Sequence, residues 1–331
     1  MGKKLSQKVV QAMKIQFKLG SLMNKFSLAF NFFIIFIITQ GCSMGVVKRS
    51  TNLTKKEAAV AKREFFIRKK LVLLPIHNES PFGGKDLEVI ATEEIRRYLE
   101  RSGRYLMDQK IFSEFPSSQL VFQGGGRNLN SIIQKAKEYG VNIVIYGRIV
   151  DSSIRQKEDS VGIIKEVFLF GSSTVEVRVI DINTEQEVLS KKVDAFTEDK
   201  SYQIQALSRE NKYELRRDLL RQATKLAIGK LIRPIWEKTK KKEWFGRVAK
   251  IVGKKIYINA GQDSGVKIGD IMKILTPSQD IFDPVSGSLI GKTKGEVKST
   301  VEITDFFGSN GSVGIIHSGG NVAPGDQVTL Y

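Results

Sequence analysis

Near Lys238-Thr-Lys-Lys-Lys242 the hydrophobic pattern of this 331-residue chain changes period, and that change restricts the fold more than any other feature. Upstream, apolar runs alternate with stripes at helical spacing. Downstream, residues 244–331 hold 14 of the 29 glycines, and only short runs survive between turn clusters. The first pattern belongs to strands and helices packed in layers, the second to a small all-β barrel or sandwich.

The upstream region opens with Leu71-Val-Leu-Leu-Pro-Ile76, a continuous apolar run closed by a polar, glycine-containing loop from His77 to Gly84. Such a run predicts a strand buried on both faces. A helix capped by Asp86 follows, with Leu87, Ile90, Ile95, Tyr98 and Leu99 at helical spacing, ending near Ser102-Gly103. Arg104–Asp108 reads as a short strand. Gly124-Gly-Gly126 fits neither phosphate-loop spacing, so it reads as a loop before a helix over Asn130–Tyr139, which Gly140 closes in a left-handed conformation. Val141–Val150 carries the strongest strand pattern. Val161–Phe170, Val175–Ile182 and Thr184–Val193 then alternate with period two, predicting antiparallel neighbours. Residues 208–232 form a long amphipathic helix with Leu215, Leu219, Leu220, Ala223, Leu226, Ala227 and Ile228 on one side, and Pro234 stops it. The expected fold class is therefore α+β, a mixed sheet with helices, plus a small all-β C-terminal domain.

The amino terminus points to a location. Residues 1–41 hold six lysines and no acid, and they contain the 13-residue apolar run Phe26–Ile38. A spanning helix needs roughly 20 apolar residues, so this run matches an export signal better. Immediately after it stands Cys42, the only cysteine, where bacterial lipoprotein signals place the residue that is lipidated. Gly41 fits the position before it, while Thr39 and Gln40 depart from the usual aliphatic and small residues. An uncleaved anchor is the plainer alternative, and both readings put the body outside the cytoplasm.

The net charge of +18 falls to +12 once the signal is removed. Residues 47–71 carry nine Lys/Arg against two acids, and residues 209–243 twelve against five, so each block holds +7. A basic block directly after an anchor suits an anionic membrane surface, each cation there contributing about 1 kcal/mol. Nucleic acid is not the expected partner. The expected organisation is a lipoprotein-type signal peptide (1–41), a basic tether (42–69), an α/β domain (70–236), a linker (237–243) and a β domain (244–331).

Two segments resemble known families. Ala136–Ile149 and Val177–Val188 look like the helix–strand and strand–turn–strand signatures of the superfamily that contains the curli secretion lipoprotein CsgG, the penicillin-binding-protein activator LpoB and the N-terminal domain of TolB. Gly246-Arg-Val, Lys255–Asp270, Asp283–Gly291 and Pro324–Val328 resemble the C-terminal domain of flagellar assembly protein T, a family in which that domain follows a TolB-like one. The family's own N-terminal domain is missing, and the anchor and tether stand in its place. The resemblance implies a non-enzymatic structural component of the flagellar basal body, similar to the H ring and associated with the outer membrane. It also implies a homo-oligomeric ring and envelope proteins as partners. A CsgG-like export channel and an LpoB-like activator of peptidoglycan synthesis are the alternatives.

No cofactor, metal or catalytic residue is expected; Cys42 is the one modification site. With one cysteine and two histidines, a Cys/His zinc cage is out of reach. Asp263, Asp270, Asp283 and Asp326 lie in turn sequences, where short acidic side chains bind nearby backbone amides. His77 and His317 each stand alone beside apolar strands.

Overall fold

The computed structural model describes residues 67–159, 166–201, 209–293 and 295–331. In chain order its elements are β1 (Lys69–Leu73), β2 (His77–Asn78), α1 (Gly84–Arg101), β3 (Tyr105–Leu106), α2 (Gln109–Ser113), α3 (Ser118–Glu138), β4 (Ile143–Asp159), β5 (Glu166–Asp181), β6 (Gln186–Ser201) and α4 (Arg209–Lys240). The barrel region follows with β7 (Gly246–Val252), β8 (Lys255–Ile258), β9 (Ile271–Leu275), β10 (Asp280–Phe282), β11 (Leu289–Lys292), β12 (Val297–Phe306), β13 (Ser312–Gly319) and β14 (Gln327–Leu330). The fold is α+β with a small closed barrel, as the change of period predicts. Cys42 and the tether lie outside the described residues.

The first sheet runs β3-β1-β4-β5-β6, with β2 extending the partnership of β4. β1 is parallel to β3 and β4, whereas β4, β5 and β6 are antiparallel. From β1 the chain crosses one way to β3 and then back over β1 to β4. Two crossovers of one hand in opposite directions place their helices on opposite faces. The burial pattern agrees: Leu71, Leu73, Ile143 and Ile145 pack with Leu87, Ala91 and Ile95 of α1 and Ala227, Ile228 and Leu231 of α4. Val72, Leu74, Val144 and Tyr146 pack with Val121, Ile132, Ile133 and Ala136 of α3. Each fully buried aliphatic side chain contributes about 1.5–3 kcal/mol, which is why β1 needs no polar face.

Three local expectations are corrected. Gly124–Gly126 lie inside α3, not in a loop. The helix starts at Ser117, whose hydroxyl accepts from the Gln119 amide, and its buried stripe from Val121 to Ala136 outweighs the propensity cost of about 1 kcal/mol per glycine. The missing Cβ at Gly124 leaves room for the Asn128 side chain to donate to the Leu120 carbonyl at 2.7 Å. Pro234 does not stop α4, which continues to Lys240 because Leu231 and Ile235 on either side are fully buried. Their burial offsets the interior proline's cost of about 3 kcal/mol. Asp86 does not cap α1; Gly83 occupies that position, and Asp86 in the first turn instead holds Arg221 of α4 at 2.7 and 2.8 Å. Leu226, assigned to the buried side of α4, is exposed.

β4, β5 and β6 are longer than their apolar runs, at 17, 16 and 16 residues. The segments Val161–Phe170 and Val175–Ile182 read as two strands in the sequence; β5 runs through both without a break from Glu166 to Asp181, and Ile182 lies in the turn that follows. α4 covers the outer half of this hairpin, where Leu169 is buried against Leu219. Among the described residues no helix is long and apolar enough to cross a membrane.

The barrel closes in the order β12-β13-β8-β7-β14-β9. Val248, Ile256, Ile258, Met272, Ile274, Val301, Ile303 and Val328 fill its interior. β10 and β11 form a separate two-stranded hairpin.

Candidate functional site

The residues with the most unusual environments gather along the seam where the sheet meets the barrel. Ile67 enters the barrel core, and the Arg68 amide donates to the Ser264 carbonyl at 2.7 Å. One step later β1 joins the sheet. This edge therefore belongs to both parts.

Asn142, just before β4, is buried and uses both ends of its amide. Its Oδ1 accepts from the Lys70 amide at 2.9 Å, and its Nδ2 donates to the Phe245 carbonyl at 2.8 Å. Lys70 Nζ donates to the Asn259 carbonyl at 3.0 Å, while Asn259 Oδ1 accepts from the Arg247 amide at 2.6 Å. On the other side of the seam, Gln327 Nε2 donates to Asn183 Oδ1 at 3.0 Å. Apart from the Arg247–Asn259 bond within the barrel, these bonds join segments more than 70 positions apart in sequence.

Charge at the seam is strongly perturbed. Lys69 titrates at about 8, because burial opposes its ammonium more than nearby Asp181 supports it, and Lys242 adds repulsion. Burial also lowers Lys70. Lys69 Nζ donates to the Thr239 carbonyl, and the Thr239 hydroxyl bonds Tyr105, so the end of α4 is held under β1 and β3. Lys242 pairs with Asp181 at 3.2 Å.

The tight turn between β5 and β6 supplies a carboxylate. Asp181 Oδ1 accepts from the Asn183 amide at 3.1 Å, and Glu185 takes a left-handed conformation, with φ 56°. Non-glycine residues seldom sit there. Glu185 bridges Lys137 of α3 and Lys292 of β11, the latter at 2.7 Å. Burial pushes its carboxyl up, but the two lysines overcome that and hold it below the ordinary glutamate value. Lys292 also pairs with Asp280 at 2.5 Å. Beside these residues lies a cleft of about 180 Å³, lined also by Asn142, Asn183 and Arg247.

A second charged array crosses the sheet surface: Arg148 binds Glu79 and Glu176, and Arg178 binds Glu176 and Glu187. Both guanidiniums lie over the Phe122 ring, at 4.4 and 5.5 Å from its centre. Every charge in it has an opposite partner, so this array ties the sheet surface together.

The aspartates marked in the sequence do not converge. Asp270 accepts from the Lys267 amide, Asp283 from the Val285 and Ser286 amides, and Asp326 from the Ala323 amide and Lys298. Asp263 lies in a single 3₁₀ turn. His77 Nδ1 is 2.9 Å from Glu88, and His317 is exposed on β13. Among the described residues no three His, Cys, Asp or Glu side chains are grouped to hold a metal ion. Sequence reasoning missed the seam residues Asn142, Asn183, Glu185 and Arg247. Asn142, a polar residue within the apolar run Val141–Val150, was the one available signal.

No known protein family matches the sequence, and no curated protein matches it. Solved structures do. A hypothetical protein from Chlamydia trachomatis aligns at 19% identity over 52% of this chain and 96% of its own, with a TM-score of 0.27. A minor lipoprotein from Acinetobacter baumannii aligns at 14% identity over 52% and 94%, with a TM-score of 0.28. The LpoB C-terminal domain from Escherichia coli aligns at 15% identity over 43% and 92%, with a TM-score of 0.26. Two of these three are named as lipoproteins or by the LpoB domain, and none is named as a flagellar protein. At such scores the likeness assigns no role to any residue.

Proposed function

We propose that this chain is a non-enzymatic, lipid-anchored envelope protein that acts as an assembly component of the flagellar basal body, in a ring similar to the H ring. The observation that carries the reading is the amino-terminal sequence, a basic and short apolar export signal ending at the sole cysteine, Cys42. The resemblance of residues 246–328 to the C-terminal domain of flagellar assembly protein T supplies the machine. The mechanism is placement. An acyl chain at Cys42 and the basic block of residues 47–71, net +7, bring the body to the periplasmic face of the outer membrane, two signals being needed for stable anchoring. The sheet and barrel then offer fixed surfaces to copies of the chain and to neighbouring envelope proteins. The local bonding of Asp270, Asp283 and Asp326 supports a role without acid–base chemistry.

Fractionation with fatty-acid labelling tests the anchor. Wild type should label and sediment with outer membranes, and Cys42→Ser should do neither. Equal labelling of both proteins would remove the lipoprotein reading.

A further inference from the structure

The cleft at the seam holds a charge imbalance that its own side chains do not resolve. Lys137 and Lys292 face Glu185 and Asp280, two cations against two carboxylates. Arg247, on β7, lines the same cleft and is half-buried. Its backbone amide is bonded to Asn259, but among the described residues its guanidinium has neither an ion pair nor a hydrogen bond. Burial alone lowers its pKa, with no neighbouring carboxylate pulling it back up.

A half-buried guanidinium without a counter-charge keeps only part of its hydration, and an anion that pairs with it offsets what burial has removed. The arginine fork matches the two oxygens of a carboxylate or phosphate. Asn183, which also lines the cleft, already uses its side-chain oxygen to accept from Gln327. Glu185 is held by two lysines rather than by Arg247, so the internal carboxylate does not fill this role.

We propose that this cleft binds an oxyanion, a carboxylate or phosphate group borne by a small ligand, with Arg247 as the principal donor. Lys137 and Lys292, which also line the cleft and are tied to Glu185 and Asp280, add to the positive field. Because the cleft is walled by both the sheet and the barrel, an occupant strengthens the seam. The proposal does not depend on the envelope reading, and a soluble, unanchored chain would carry the same site.

The test uses the full-length chain in a non-ionic detergent, at ionic strength held constant with sodium chloride. Inorganic phosphate and acetate are titrated separately while the unfolding temperature is followed. A ligand bound only by the native state raises that temperature as ln(1 + c/Kd), where c is the free ligand concentration, little below Kd and logarithmically above it, so the curve returns Kd. At least one anion should raise the temperature in this way, and Arg247→Gln should weaken the fitted Kd by at least tenfold. Arg247→Lys, which keeps the charge and loses the fork, should fall between, and Lys254→Gln on the exposed β7–β8 turn should match wild type. A lower fitted Kd for phosphate identifies a phosphorylated ligand, and a lower one for acetate a carboxylate. If Arg247→Gln does not unfold cooperatively, the lysine variant carries the comparison. A temperature that follows the sodium chloride control for both anions, or an unchanged fitted Kd in the Arg247 variants, overturns the proposal.

Discussion

Asn142 Nδ2 donates to the carbonyl of Phe245 across 2.8 Å, so one buried side chain ahead of β4 fastens the sheet to the residue that precedes the barrel's first strand. Its Oδ1 meanwhile accepts from Lys70. Asn142→Ala would strand a backbone donor and a carbonyl inside the seam, at about 1–3 kcal/mol for each group left unpaired. Urea unfolding should show a lowered midpoint, and limited proteolysis should cut faster between Lys238 and Phe245. An unchanged midpoint would show that the bond is not made in solution.

The two parts are also proposed to behave as distinct folding units, divided between α4 and β7. The seam bonds couple them. Asn142→Ala should therefore uncouple their thermal transitions more than a core substitution within the barrel, such as Ile256→Val, which lowers only the second. A single transition shifted equally by both variants would contradict the division.

Lys69 gives the protein an alkaline stability signature. It titrates at about 8 when folded against 10.5 otherwise, because burial disfavours its charge. Between those values the unfolded chain holds more protons, so stability rises with pH from about 8 toward about 10.5, and below about 8 the penalty is present in full. Lys70 shifts in the same direction. Tyr105 and Tyr146, raised by burial, work the other way above about 10, since the unfolded chain then loses its phenolic protons first. The urea midpoint should climb between about pH 8 and about pH 10, and Lys69→Met should flatten that climb. A flat wild-type profile would contradict the assignment.

Asp86 and Arg221 join α1 to α4 through a two-bond pair. The hydrogen bond to Arg221 holds the Asp86 carboxyl below its ordinary value, so its contribution is present above that value and is lost as acid protonates it. The pair is partly exposed, which limits its worth to about 1 kcal/mol or less. A double-mutant cycle with Asp86→Asn and Arg221→Gln should return a coupling that shrinks in high salt and disappears at low pH.

Gly140 leaves α3 with φ 66°, and a Cβ there would overlap the Asn259 side chain. Gly140→Ala should cost more than about 1 kcal/mol, because it adds a left-handed strain to a clash. Calorimetry would check it, with Gly253→Ala as a comparison in which the strained backbone is kept but nothing obstructs the new methyl group.

The sheet was legible because its physics is local. Leu71–Ile76 is apolar on both faces and is buried on both, and Gly140 ends its helix where the sequence placed it. α4 was misjudged for the opposite reason. Pro234 and the lysines after it look like a boundary, and only the burial of Leu231 and Ile235 against strands far away in sequence carries the helix through. Gly124–Gly126 misled in the same way. The cleft was illegible because Lys137, Glu185, Arg247 and Lys292 come from four separate elements or turns, and no spacing along the chain announces them.

The envelope role meets its most direct test in a strain that lacks this chain, imaged by electron cryo-tomography of the basal body alongside a motility assay. The account predicts loss of ring density at the outer membrane and reduced swimming, both restored by wild type and by Asp270→Asn or Asp283→Asn variants that fold, but not by Cys42→Ser. Normal motility with an intact basal body in the deletion strain would contradict it.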